Sequence, residues 1–278
     1  MPIKVGSTEI SGVYVGSTAI SRAYVGATQV FNAVSAFDAD AEAYITAVET
    51  ADAQALEPAV KTAINDFVVG CKADGIWAAL KASCILAGAR TLAGALVPLK
   101  GTAPTNFNFV LGDYNRKTGL VGDGTTKYLN SNRNNNADPQ NSQHMTVYAT
   151  ATGSPAKGFI STDVGTISGV SHVVYGSNSL LFTRSRSLTG SSSSSLSPGL
   201  IGISRDNASS YFTRSNNQNT VISVTSDGVQ SGTIYVFRRV IGEVSDARLA
   251  FYSIGESLDL AQLDARVTTL INAYGAIP

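Results

Sequence analysis

The chain has 278 residues and a formal net charge of zero, from 20 Lys and Arg against 20 Asp and Glu. Charged residues make up only 14% of it, where soluble domains average about 25%, and this balance excludes a general polyanion or nucleic-acid binder. It has no apolar run of about 18 residues, so we expect no membrane insertion. Its first residues lack a basic segment followed by an apolar one, so we expect no secretory signal.

A ten-residue repeat comes first: residues 5–14, 15–24 and 25–34 read VGSTEISGVY, VGSTAISRAY and VGATQVFNAV. Each copy places glycine first in a two-residue turn between strand-favouring residues, which predicts a β-meander over residues 1–34. A meander this small cannot bury enough surface to be stable alone. We interpret it as a docking module, and the alternative is a hairpin sheet that covers the rest of the same domain. The candidate docking residues are Gly6, Gly16, Gly26, Tyr14 and Tyr24.

Residues 35–99 change to an Ala-rich pattern that predicts a helical segment. Ser35 or Asp38 can cap the first helix, and Pro58 suits the first turn of the second. Asp74-Gly75 is expected to end that second helix. A third short helical stretch is expected to begin with Ile76, Trp77, Leu80 and Ile85.

Residues 100–278 contain many short strands between turn signals, a pattern that predicts an antiparallel jelly-roll sandwich. Polar loops are expected at 130–143, 188–198 and 205–210, and a closing helix at 257–273, capped by Ser257. The fold class is therefore mainly β with a helical insert. From 100 to 255 the bases exceed the acids, in contrast to the helical segment, where the acids exceed the bases.

The residues of acid–base and metal chemistry are scarce. No Glu occurs between positions 100 and 242, the only histidines are His144 and His172, and no nucleophile elbow, phosphate loop or zinc motif is present. Cys71 and Cys84 are too few for a disulfide framework, and we expect two buried free thiols. We therefore expect no enzyme, no cofactor and no bound metal. A pair of converging Asp residues leaves a glycan-cleaving enzyme as an alternative.

The loop at 130–143 is rich in side-chain oxygens but lacks the spacing and the Glu of an EF-hand, which favours Asx turns over a metal site. Planar polar side chains and an aromatic ring are what sugar recognition needs. The candidate ligand-binding residues in the loops are Asn132, Arg133, Asn134, Asp138, Arg205, Asp206, Tyr211 and Asn216.

Three stretches together carry a family resemblance. The VGST repeat resembles N-terminal segments of tailed-bacteriophage tail and baseplate proteins, and residues 67–141, beginning FVVGCKADGIW, resemble a module of phage virion proteins. The ending YSIGESLDLAQLDARVTTLINAY at 252–274 is similar to the last strand and closing helix of concanavalin A-like (laminin-G-like) sandwiches in such proteins.

The resemblance implies a tail-fibre or receptor-binding protein of the virion. Such a protein docks on baseplate proteins through its N-terminus, recognises a host-surface polysaccharide and forms a homotrimer. Legume-type lectins hold Ca²⁺ with a strand Glu-x-Asp, and this chain lacks that Glu, so the resemblance implies no metal here. The alternative function is a purely structural tail component or fibre adaptor without a ligand of its own.

Overall fold

The computed structural model describes strand backbones within residues 4–32 and, beyond them, residues 37–162, 168–239 and 242–277. Contacts divide the chain into two compact units, Met1–Phe37 and Asp38–Pro278. The larger unit is mainly β, with two antiparallel sheets enclosing a common apolar core, and this confirms the predicted sandwich.

Among the described residues of the repeat, the strands pair as three two-stranded hairpins. Val5 pairs with Thr8, and the same positions pair in the other copies, which confirms the two-residue loops. The second hairpin pairs Val13 and Tyr14, at the end of the first copy, with residues of the second copy, and the third hairpin joins the second copy to the third in the same way. The hairpins are β1 (Lys4–Val5) with β2 (Thr8–Glu9), β3 (Val13–Val15) with β4 (Thr18–Ile20), and β5 (Arg22–Val25) with β6 (Thr28–Asn32).

The candidate docking residues Gly6, Gly16 and Gly26 lie outside the described residues. Tyr14 lies in β3 and Tyr24 in β5, where their backbones pair with the second strand of the same hairpin. Their docking role stays a prediction.

Sheet A, whose outer side faces the helices, is built around one long strand, β22. In spatial order its strands are β10 (Tyr114–Asn115), β11 (Gly119–Val121), β22 (Arg248–Gly255), β13 (Gln143–Ala151), β18 (Gly199–Arg205), β19 (Tyr211–Ser215) and β20 (Gln218–Ile222), with β7 (Leu80–Ile85) also paired to β22 and β8 (Pro98–Lys100) to β7.

Sheet B packs its inner face against sheet A. In spatial order its strands are β17 (Ser191–Ser195), β16 (Leu180–Ser187), β15 (Val170–Tyr175), β14 (Lys157–Thr162), β21 (Thr233–Val236), β12 (Tyr128–Asn134) and β9 (Thr105–Phe107).

The helices cover the outer side of sheet A and make a third layer. Phe67 on the second helix meets Phe251 of β22 edge to face, with ring centroids 5.9 Å apart. None of the described helices combines the length and the apolarity that a bilayer crossing requires. The helices are α1 (Ala39–Asp52), α2 (Pro58–Ala73), α3 (Leu92–Ala95) and α4 (Leu260–Gly275).

The helix signals were largely right. Asp38 caps α1, its carboxylate accepting from the Asp40 amide, and Pro58 opens α2, as predicted. The closing helix is also present, but its cap is Asp259 and not Ser257. Asp259 accepts hydrogen bonds from two amides of the first turn, which satisfies donors that would otherwise have no partner.

Two local predictions were wrong. The predicted third helical stretch is only a 3₁₀ turn at Trp77–Ala79, and the residues after that turn form strand β7. There Ala82 and Cys84 join the core between the sheets because β7 pairs with β22. The Ser run, expected as a loop tip, is the edge strand β17. It is held by backbone pairing with β16, which does not depend on the type of side chain.

Both cysteines are free and buried, Cys71 in α2 and Cys84 in β7, as predicted. Burial raises the pKa of each thiol to about 12, so both stay protonated and unreactive at neutral pH.

Both histidines are enclosed by protein. His144 contacts the Glu256 carbonyl through Nδ1 at 2.5 Å and the Ser253 hydroxyl through Nε2 at 2.7 Å. Burial lowers the pKa of His144 to about 4 and that of His172 to about 3. Both imidazoles are therefore neutral in the folded protein at neutral pH.

We expect these histidines to make the fold acid-sensitive. Below pH 6.5 the unfolded chain takes up protons on them that the folded chain does not, so the free energy of unfolding falls by about 1.6 kcal/mol per histidine between pH 6.5 and 5. Urea unfolding across this range measures the slope, and the variant His172→Gln should remove about half of it. A slope unchanged in His172→Gln would contradict a buried, neutral His172.

The division into two units predicts that the repeat is dispensable for folding of the remainder. A chain that starts at Ser35 keeps the Asp38 cap and all of the Asp38–Pro278 unit. Thermal unfolding followed by circular dichroism should show one cooperative transition within a few degrees of the full chain. Aggregation or a broad transition would mean that the hairpins belong to the main core.

Candidate functional site

Neighbouring rows of sheet B show what each of its faces carries. One row runs through Leu129, Val236, Ile160 and Val173, which pair in register and are fully buried in the core. Because side chains alternate along each strand, the next row points the other way. That second row, across β12, β21, β14, β15 and β16, is Asn130, Tyr235, Ser161, His172 and Arg184.

We call the face that carries this second row the outer face of sheet B. At one end of it lies an aromatic ridge of Phe107, Tyr128 and Tyr235. The rings of Phe107 and Tyr128 are stacked with centroids 4.4 Å apart, and Tyr235 meets Tyr128 edge to face at 5.6 Å. The Arg238 guanidinium lies over both tyrosine rings, at 4.6 and 4.7 Å. Phe107 is 36% exposed, so the ridge presents aromatic surface to solvent.

At the other end of the outer face is a cavity of about 330 Å³, the outer pocket. Val174 lies two residues after His172 on β15, so both side chains point to the outer face. Phe182 pairs with Val174 across the strands and therefore belongs to the same face. The Phe182 ring contacts the His172 ring at 5.2 Å. The described residues that line the outer pocket are Ala156, Val174, Gly176, Ser177, Asn178, Phe182, Arg239 and Glu243.

An ion pair stands at the outer pocket. Arg239 Nη1 donates to Glu243 Oε2 at 2.9 Å, and both side chains are about one-third exposed. The backbone positions the pair, because the Arg239 amide donates to the Glu243 carbonyl at 3.2 Å. Arg238 and Val244 form a bridge in the same connection.

His172 adds an uncharged imidazole to this end of the face. Burial is the main cause of its lowered pKa, and the cations Arg239 and Arg184 lower it further. Its Nε2 atom has no hydrogen-bond partner in the part of the chain that the structure describes. Partial burial of Arg184 itself, together with the charge of Arg239, lowers the pKa of Arg184.

Two sequence candidates, Arg205 and Tyr211, lie in the interior. Arg205 is fully buried, and its guanidinium donates to five backbone carbonyls. Tyr211 is fully buried too, with its hydroxyl 3.1 Å from the Thr183 carbonyl across the sandwich. Because both side chains are enclosed and hydrogen-bonded, they offer nothing to a ligand, and the candidate site excludes them.

Four other candidates cluster around the 130–143 connection. Arg133 forms a two-point ion pair with Asp138 through Nε and Nη2, and Asp138 is only 7% exposed. Asn132 donates to the Ala103 carbonyl at 2.8 Å, which ties the residues before β9 to β12. Asn134 accepts from the Thr233 hydroxyl at 3.1 Å. These contacts give each residue a structural role, and ligand binding by any of them stays a prediction.

The last two candidates lie elsewhere. Asn216 accepts from the Ser197 amide and hydroxyl, in a left-handed turn between β19 and β20. Asp206 lines a groove of about 390 Å³ beside the first turn of α4, together with Phe212 and Asn219. The eight candidates therefore do not meet in one site.

The residues of the outer face escaped the sequence analysis, although a signal for them existed. The stretches TIYV at 233–236 and LLFTR at 180–184 alternate in the way that a half-buried strand requires. Alternation alone marks Tyr235, Phe182 and Arg184 as sharing one side of their strands. Assigning that side to solvent requires knowing that the other side packs on sheet A.

The described residues contain no group of three or more His, Cys, Asp or Glu side chains placed to hold a metal ion. The oxygen-rich 130–143 connection forms the end of β12, a 3₁₀ turn at Asn135–Ala137 and the start of β13.

No family model and no curated protein matches the chain. Among solved structures it is similar to the binding domain of botulinum neurotoxin serotype D, at 12% identity and TM-score 0.47, over 69% of this chain and 51% of that one. The chain thus spans about half the length of that domain.

Two further solved structures show a comparable likeness. Domain 4 of AbnA, an extracellular GH43 arabinanase of Geobacillus stearothermophilus in complex with arabinotriose, is 9% identical over 60% of this chain and 82% of that one, with a TM-score of 0.40. Trypanosoma rangeli sialidase in complex with sialic acid is 10% identical over 72% and 34%, with a TM-score of 0.43. Likeness at this level leaves the function to be argued from the site itself.

A substitution of Arg205 tests directly whether its side chain lies in the interior. The variant Arg205→Leu removes a buried guanidinium that donates to five backbone carbonyls, so we expect the free energy of unfolding to fall by about 3 kcal/mol. Urea unfolding measures the change, with the exposed Lys117→Ala as the control. A variant of unchanged stability would contradict the interior role of Arg205.

Proposed function

We propose that the chain is a carbohydrate-binding protein that holds a glycan along the outer face of sheet B without cleaving it. The observation that carries the proposal is the presence of an exposed aromatic ridge and a polar pocket on one face of one sheet. A rigid sheet fixes their spacing, which is what recognition of an extended molecule requires.

The chemistry of the face suits sugars. A pyranose ring presents C–H groups on its faces and hydroxyl groups around its edge. The C–H groups pack on aromatic rings such as those of Phe107 and Tyr128, and the hydroxyls pair with planar side chains such as Arg239, Glu243 and Asn178. Both kinds of group are present here, so the face accommodates a neutral or an acidic glycan.

The pocket's composition favours binding over cleavage. Hydrolysis of a glycosidic bond generally uses two carboxyl groups on either side of that bond. Among the described lining residues of the outer pocket, Glu243 is the only carboxylate, and Arg239 already pairs with it. We therefore propose a non-catalytic role for this face.

The biological setting of the proposal comes from the sequence resemblance. We propose that the protein is a tail-fibre or receptor-binding component of a phage virion, in which the hairpin repeats dock on tail or baseplate proteins. A homotrimer would present three outer faces, and several weak sites acting together raise the overall affinity. Antibody labelling of the repeat region on purified virions tests this setting.

A structural adaptor without a ligand is the second candidate. The observation that favours it is the separate unit Met1–Phe37. Docking through the hairpins of this unit would not require the protein to bind a glycan. The two candidates differ in one measurable property, which is affinity of the assembled protein for polysaccharide.

We therefore expect the full chain to bind to glycans on an array and to bacterial surface polysaccharides. The variant Phe107→Ala removes exposed aromatic surface, and we expect it to weaken binding by about three- to tenfold with little loss of stability. Val221→Ala is the matched control, since Val221 is an exposed apolar residue on sheet A.

Three results would count against the proposal in different ways. No affinity of the assembled protein for any glycan would favour the structural adaptor. Equal losses in Phe107→Ala and Val221→Ala would place binding away from the ridge. New reducing ends appearing during incubation with polysaccharide would show an enzyme.

A further inference from the structure

We propose that the outer pocket recognises the acetamido group of an N-acetylated amino sugar. This inference rests on the proposed carbohydrate-binding function and names the sugar class that this end of the face selects. The argument uses the apolar wall of the pocket, its donor–acceptor pair and the charge of that pair.

The apolar wall matches the methyl of an acetyl group. Ala156, Val174 and Phe182 all line the cavity, and Val174 and Phe182 are direct cross-strand partners on β15 and β16. A sugar that offers only hydroxyl groups would place polar atoms against this apolar wall. Burying the wall in that way would contribute no favourable binding free energy. An acetyl methyl placed against it removes apolar surface from water on both sides.

The donor–acceptor pair matches a secondary amide. An acetamido group has an N–H that donates and a C=O that accepts, on opposite edges of one plane. Arg239 uses Nη1 in its bond to Glu243, and its other two donor nitrogens, Nε and Nη2, have no acceptor among the residues that the structure describes. Glu243 accepts that bond at Oε2, and its Oε1 accepts no hydrogen bond from a described side chain. Arg239 therefore offers donors for the C=O, and Glu243 offers an acceptor for the N–H.

The backbone holds these two side chains together before a ligand arrives. The Arg239 amide donates to the Glu243 carbonyl, and the Gly158 amide donates to the same carbonyl at 3.4 Å. Gly158 and Val244 also form a bridge, which joins this connection to β14. Preorganised groups lose little conformational entropy on binding, so the pair favours a ligand of matching geometry.

The charge of the pair argues against an acidic sugar in this pocket. A ligand carboxylate beside Arg239 would also lie beside Glu243, where like charges repel, and this repulsion opposes the attraction of Arg239 and the nearby Arg184. The acetamido group is neutral and uses the donor and the acceptor at once. The side chains of Ser177 and Asn178, at the 176–180 turn, remain for ring hydroxyls, since Asn178 Oδ1 accepts from the Leu180 amide and its amino group can donate to a ligand.

The cavity size fits one sugar unit. Its volume of about 330 Å³ lies at the lower end of ligand pockets, which span about 300–1,000 Å³. A longer chain would place one residue in the outer pocket and continue over the surface outside it. The pocket therefore selects the sugar type at one position.

The test compares sugars that differ only in this group. The full chain is titrated by calorimetry with N-acetylglucosamine trisaccharide, its deacetylated form and cellotriose, which share one linkage, and by NMR with N-acetylgalactosamine, galactosamine and galactose. We expect the acetylated member of at least one series to bind on the order of tenfold more tightly than its partners. Glucuronate serves as the acidic comparison and should bind weakly.

The variants locate the effect. Glu243→Ala and Arg239→Ala should each remove most of the preference for the acetylated sugar, about tenfold, and the milder Glu243→Gln should weaken it if the alanine variants fold poorly. Arg266→Ala is the matched control because Arg266 forms a comparable, partly exposed ion pair with Asp74 on the helical side. Circular dichroism confirms folding of each variant.

Each outcome has a distinct meaning. Equal binding of acetylated and deacetylated sugars in both series, or tighter binding of glucuronate, overturns the acetamido assignment and leaves carbohydrate binding intact. A preference that survives Glu243→Ala and Arg239→Ala overturns its location in the outer pocket. Absence of binding to every glycan on the arrays overturns the proposed function itself.

Discussion

The alternation of side chains across sheet B is the constraint on which the rest of the structure depends. One row of that sheet, Leu129 to Val173, must face sheet A to close the core, and this forces the neighbouring row outward. The helices occupy the far side of sheet A, so sheet B is the layer whose outer face they leave uncovered. The aromatic and charged residues of that face therefore follow from the same register that builds the core.

The interior of the sandwich also carries polar links, which explain why several plausible surface residues are structural. Gln143 of sheet A donates to the hydroxyls of Ser171 and Ser185 in sheet B, and Arg205 reaches the Ser185 carbonyl. Buried polar groups stay stable only when their hydrogen bonds are satisfied. Arg205 therefore belongs to the connection between the sheets.

Sequence reasoning reached the elements that depend on local signals. The VGST turns, the Asp38 cap, Pro58 and the short alternating strands predicted the hairpins, the helices and the sandwich. It failed where distant pairing decides: β7 is a strand because β22 lies beside it, and the stretch LKASCI has no local feature that excludes a helix. Arg205 likewise ends strand β18 next to Asp206-Asn207, where the sequence resembles an exposed loop, yet its guanidinium donates to five backbone carbonyls.

Hydrogen–deuterium exchange of the full chain, with and without the tightest glycan from an array, tests the central claim most directly. Binding on the outer face predicts slower exchange in β15, β16 and the residues around Arg239 and Glu243, with the helices and β20 unchanged. Protection confined to the Asp206 groove beside α4, or no protection at saturating glycan, would contradict the account.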